Sequence, residues 1–104
     1  MKIIWRQEAK YEYKQIARYI KIKFGLKAKR EFITEVMECE KMLCKNPYIA
    51  AIDPLFGDRA NTYRSTLINR RSKMVYYVVD DEIHIAAFWD CRRDPVAQAK
   101  KVKE

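Results

Sequence analysis

The sequence predicts an α+β fold, with a short N-terminal strand and an antiparallel helical hairpin packed on an antiparallel sheet of three to four strands, in the order β-α-α-β-β-β. Three observations predict it. Apolar residues recur at threes and fours from Ala9 to Phe24 and again from Ala28 to Leu43, the period of one buried helical face. Only Gly25 and Leu26 separate the two faces, the spacing of an antiparallel helix pair. After Lys73 the pattern changes to two runs rich in Val, Ile, Tyr, Phe and Trp on either side of Asp80-Asp81, residues that suit pleated strands around a tight turn.

Taken in order, Lys2 to Trp5 is short and apolar enough for an edge strand. The first helix begins near Glu8 without a good capping side chain, and Gly25 is placed to end it. Its outer side carries Lys10, Lys14, Arg18 and Lys21, like charges that disfavour an isolated helix by roughly 0.2–0.5 kcal/mol per pair. Such a stripe reads first as a solvated face and second as a contact for an acidic groove or phosphates. The second helix spans about Lys27 to Lys45 and stops at Asn46-Pro47, because the residue before proline is pushed out of the α region. Pro47 to Asp58 has two prolines and a glycine and no period, the mark of a loop packed on the domain. Arg59 to Ile68 reads as a strand, Asn69-Arg70-Arg71 as a basic turn, and Val96 to Glu104 as a frayed or short helix.

A two-residue turn at Asp80-Asp81 sets the register of the last two strands. Val79 then faces Glu82, Tyr77 faces His84, Tyr76 faces Ile85 and Met74 faces Ala87. Because side chains alternate, one face collects Met74, Tyr76, Val78, Ile83, Ile85, Ala87 and Trp89, which is the predicted core. The other collects Lys73, Val75, Tyr77, His84, Ala86, Phe88 and Asp90, which predicts an open face for a partner.

The 104 residues amount to one domain, spanning 1–104, and 49% apolar residues can fill a modest core. Twenty-two Lys and Arg against 14 Asp and Glu give a net charge of +8, and the pI is near 9.5, a balance that favours an acidic partner. No apolar run approaches the about 20 residues of a spanning helix, and charges occupy the place of a signal peptide's apolar region, so a cytoplasmic protein without membrane contact is expected. Cys39, Cys44 and Cys91 are odd in number and match no zinc spacing, in keeping with a reducing compartment. One histidine and two glycines leave no metal site, no phosphate loop and no serine triad to build, and no cofactor or small-molecule substrate is implied.

The chemistry that remains is cationic. The meander predicts that Arg64, Arg70, Arg71, Lys73, Arg92 and Arg93 gather at one end of the open face, with Tyr77, His84 and Phe88 beside them for stacking. Surface arginines without a ligand would read the same way.

A helical hairpin ending in LCKNP, a TYRSTL strand, the hairpin RSKMVYYVVDDEIHI and a closing WDCRRDP occur in an order and spacing that resemble the RelE/ParE superfamily, the toxins of type II toxin–antitoxin modules. The resemblance covers nearly the whole chain. It implies a growth-inhibiting toxin with a cognate, acidic antitoxin, and a target that is either DNA gyrase or ribosome-bound mRNA. For the nuclease branch it implies phosphate-binding cations at Arg64, Lys73 and Arg93, or Arg92 in place of Arg93. Thr66 replaces a further cation of that set, and Ala99 stands about where a tyrosine base would be. The departures and the long helical hairpin favour the gyrase-directed, ParE-like branch. A metal-independent mRNA endonuclease and a non-toxic module that binds antitoxin or DNA are the alternatives.

Overall fold

In the computed structural model, which describes residues 1–103, the helix pair forms where the period places it, with α1 at Gln7–Phe24 and α2 at Leu26–Lys45. Gly25 alone joins them. Its φ of 97° and ψ of 172° lie in a region reserved for glycine, and its amide closes α1 on the Lys21 carbonyl at 2.9 Å. Arg6 precedes α1 without a side-chain cap, as the missing capping residue predicts. β1 is Lys2–Trp5, and the meander is β3 Arg64–Ile68, β4 Ser72–Val79 and β5 Glu82–Asp90, with a two-residue β2, Ala51–Ile52, before it.

The sheet has five strands in the order β1-β5-β4-β3-β2, and it is mixed because β1 pairs with β5 in parallel. An entirely antiparallel sheet is therefore corrected. Residues 59–63, expected in a strand, are irregular, and Pro54–Phe56 ahead of them is a 3-10 turn capped by the Asp53 side chain on the Leu55 amide. At the other end, Asp94 caps α3, Pro95–Lys101, through the Val96 amide at 3.0 Å. The expected tail reached Glu104, which lies outside the described residues.

Both turns of the meander use positive φ. Asp80 and Asp81 sit at 50° and 61°, and Asn69 and Arg70 at 54° and 60°, the pattern of type I′ turns that match strand twist. The predicted register holds from Val79 opposite Glu82 to Tyr76 opposite Ile85. Then it slips: Val75 pairs with Ala87 and Met74 with Phe88, so Ala86 is the extra residue of a β-bulge. The slip exchanges faces for everything that follows. Phe88 enters the helix-side core and is 0% exposed, packed among Trp5, Tyr13 and Phe32 with centroids 5.6–5.9 Å away. Ala87 and Trp89, expected in that core, lie on the other face.

That other face is not open. Phe56 and Tyr63 from the loop and Ala99 and Val102 from the C-terminal segment bury Val75, Tyr77, Ala86, Ala87 and Trp89 in a second core. Arg59 fastens the cover by donating to the Ala99 and Val102 carbonyls at 2.8 and 2.9 Å, and Arg6 donates to the Lys103 carbonyl. The helix-side core is built from Phe32, Val36, Leu43, Met74, Tyr76, Ile83 and Ile85. Phe24, expected to end the buried face of the first helix, is 52% exposed. Among the described residues no helix is long and apolar enough to cross a membrane.

Candidate functional site

Lys73 is the cation that the structure commits most firmly. It opens β4 on the second face, opposite Trp89 in the register, and its Nζ lies 5.4 Å from the Trp89 ring. The same ammonium reaches the Asp53 Oδ2 at 2.5 Å, while the other oxygen of Asp53 accepts from the Leu55 amide at 3.0 Å. Asp53 is 3% exposed. Burial pushes its carboxyl up, but hydrogen bonds from Lys73, Leu55 and Ser65 outweigh that and hold it below the ordinary carboxylate value. A lysine paired this way fastens the loop to the sheet, and its charge is already balanced by a buried carboxylate rather than open to a phosphate.

Arg64 is on the opposite face. It pairs with Tyr76, a residue of the helix-side core, whereas Lys73 pairs with Leu67, an odd number of residues further along β3. Its Nη1 donates to the Ala50 and Tyr48 carbonyls at 2.8 and 3.2 Å, and its guanidinium covers the Tyr48 ring at 5.3 Å. Those contacts shape the chain after α2. The predicted neighbourhood of Arg64 and Lys73 is thus corrected: strand alternation puts the sheet between them.

Arg92 and Arg93 follow β5 and diverge. Arg92 forms a bidentate contact with Asp90, at 2.7 Å from Nη2 and 3.1 Å from Nε, and that contact raises its pKa. Arg93 lines two clefts beside α1, one of about 1060 Å³ against the C-terminal segment and one of about 690 Å³ against the end of β5, and Arg92 lines the second with it. Glu12 lies between those clefts. Its Oε1 accepts from the Phe88 amide at 3.1 Å, a donor left free because β1 pairs with β5 only as far as Ile85. Burial pushes the Glu12 carboxyl up, and the Phe88 amide with Lys101 and Arg93 partly offsets it.

Arg70 and Arg71 are exposed in the β3–β4 turn, and the Arg71 guanidinium lies 5.7 Å over the Phe24 ring, so this turn sits beside the end of the helical hairpin. Tyr77 is buried, stacked on His84 at 5.0 Å and 4°, with its hydroxyl accepting from Arg6 Nη2 at 3.0 Å. His84 Nε2 contacts Glu82 at 3.2 Å. Phe88 is fully enclosed, and its expected place on a nucleic-acid face is corrected by the bulge. Of the residues named from the sequence, Arg92 and Arg93 remain near each other, Arg70 and Arg71 form a second place, and Arg64 and Lys73 are held in structural contacts.

Cys39 is buried and its thiol is pushed up to about 11 by burial, with Glu40 adding to the effect. Cys91 is exposed, and partial burial of its sulfur together with Asp90 raises its pKa despite Lys73. Among the described residues no group of three or more His, Cys, Asp or Glu could hold a metal ion. Sequence reasoning missed Asp53, Glu12, Arg6 and Arg59. Asp53 before Pro54 marks a capped turn, but nothing local points it at Lys73, and the others act across 40 or more residues.

A family model described as the ParE toxin of a type II toxin–antitoxin system, parDE, matches residues 3–95. The chain belongs to the ParE toxin family. It is therefore a type II toxin, and membership implies a cognate antitoxin as its partner. Among solved structures, the ParE fold is matched by a chain described as "Chromosomal ParDE TA system from P. aeruginosa", with a TM-score of 0.69 and 18% identity over 86% of this chain and 95% of that one. At that identity the likeness concerns the fold. No curated protein sequence matches.

Proposed function

We propose that this ParE-family chain arrests growth by inhibiting DNA gyrase and is neutralised in the cytoplasm by an acidic antitoxin. The observation that carries the reading is the dispersal of the cations a ribosome-dependent nuclease would converge on one phosphate. Lys73 is paired with buried Asp53, Arg64 is turned to the opposite face, and of the set Arg93 opens on a cleft, beside an Arg92 already engaged by Asp90. Ala99, at the position where the resemblance sets a tyrosine base, is buried against the sheet. Stabilising a transferring phosphoryl group requires preorganised charges aimed at one point, and this arrangement offers none. A protein target needs no such convergence.

Purified protein is expected to lower the rate of gyrase supercoiling or to trap cleaved DNA, and added antitoxin to restore it. Full gyrase activity at saturating toxin, together with codon-phased cuts in mRNA from expressing cells, would replace this reading with the nuclease.

A further inference from the structure

The helical hairpin is electrically polarised, and the candidate site described above does not account for it. Residues 13–30 contain seven Lys and Arg and no acidic residue. The rest of the two helices is the reverse: residues 7–12 hold two Glu against one Lys, a net of −1, and residues 31–45 hold four Glu against two Lys, a net of −2. Because α1 and α2 are antiparallel about Gly25, the whole acid-free stretch lies at one end of the pair. The Arg70-Arg71 turn adds two more cations there through the contact of Arg71 with Phe24.

At the centre of this charge stands an apolar knob. Ile22 is 76% exposed, Phe24 52% and Leu26 46%, and they immediately flank the one-residue link. Phe24 continues the apolar period of α1 but is left half exposed, with the Arg71 guanidinium over its ring. Large apolar side chains ringed by charge have the anatomy of a protein contact, an apolar centre inside a polar rim.

We infer that the hairpin end, Ile22, Phe24 and Leu26 within the ring formed by Lys21, Lys23 and Lys27, docks into an acid-rimmed apolar pocket on the toxin's protein target. Charge complementarity selects an acidic rim, and the inference rests on the reading that the chain acts by binding a protein. A membrane surface fits less well. A helix lying in an interface needs a continuous apolar face, and Ala17, Phe32, Val36 and Leu43 are already turned onto the core. A nucleic acid would use the cations but leave the aliphatic centre without a partner.

Two full-length variants test this, Ile22→Gln/Phe24→Gln/Leu26→Gln, which keeps the charge, and Lys21→Glu/Lys23→Glu/Lys27→Glu, which keeps the knob. All six positions are exposed, and thermal unfolding checks that each variant folds. Both are expected to lose about tenfold or more in supercoiling inhibition and to relieve growth arrest on controlled expression. Unchanged potency of either folded variant in both assays overturns the inference. So does knob-dependent capture of the wild type by phosphatidylglycerol–phosphatidylethanolamine vesicles or by a short DNA duplex. Should the wild type arrest growth while leaving gyrase untouched, the gyrase reading falls and the growth arm alone decides whether the knob is the docking element.

Discussion

The ion pair of Asp53 and Lys73 turns a residue that looks catalytic into one that holds the fold. Removing one partner of a buried pair leaves the other uncompensated, so Asp53→Ala is expected to destabilise the protein by roughly 3–5 kcal/mol in urea unfolding. Lys73 keeps some access to water, which places the value toward the lower end. Asp53→Ala combined with Lys73→Met should cost at least about 1 kcal/mol less than the sum of the two changes. The pH dependence has a definite sign. The carboxyl of Asp53 is held below its unfolded value, so its contribution is present above the ordinary carboxylate range and is lost as pH falls through the lower, folded value. Urea midpoints measured from neutral to strongly acidic pH should fall for the wild type, and that component of the fall should be missing in Asp53→Asn. At this scale the sequence was legible only in residue type: Lys73 announced a charge, and the aspartate that quenches it stands twenty residues away, across a loop with no period.

At the scale of elements, strong periodicities translated directly. The stretches from Ala9 to Phe24 and from Ala28 to Leu43 became helices, and Asp80-Asp81 became the turn that sets the first four pairs of the hairpin. The bulge was not legible, because Ala86 and Ala87 are both small and apolar and fit either face. What selects the slipped register is tertiary: Phe88 completes an aromatic cluster with Trp5, Tyr13 and Phe32, and Glu12 meets its amide. The link between the helices carries its own prediction. A Cβ at Gly25 would meet nothing within 4 Å, so space is not the constraint. Its backbone conformation is, and Gly25→Ala is expected to lower stability by about 1–3 kcal/mol by chemical denaturation without altering the circular dichroism of the native state.

The whole molecule is a sheet covered on both sides, by the helix pair on one and by the loop and C-terminal segment on the other. The sequence predicted the first layer and left the second bare, since the covering residues Phe56, Tyr63, Ala99 and Val102 are scattered through segments without periodicity. That second layer explains why the candidate site came apart: the face reserved for a ligand is used for packing. One margin of the sheet is the part of β5 beyond Ile85, which has no neighbouring strand on its β1 side. Left bare, such a margin is a template on which copies of the protein would polymerise, strand onto strand. Glu12 occupies the Phe88 amide there and puts a charge where an incoming chain would need a carbonyl. Burial raises its pKa, and the Phe88 amide, Lys101 and Arg93 act against that in favour of the charged form. Glu12→Ala should accordingly increase light scattering with protein concentration well beyond the wild type. Glu12→Gln, which can still accept from the amide, should lie between them, separating the hydrogen bond from the charge as the source of colloidal stability.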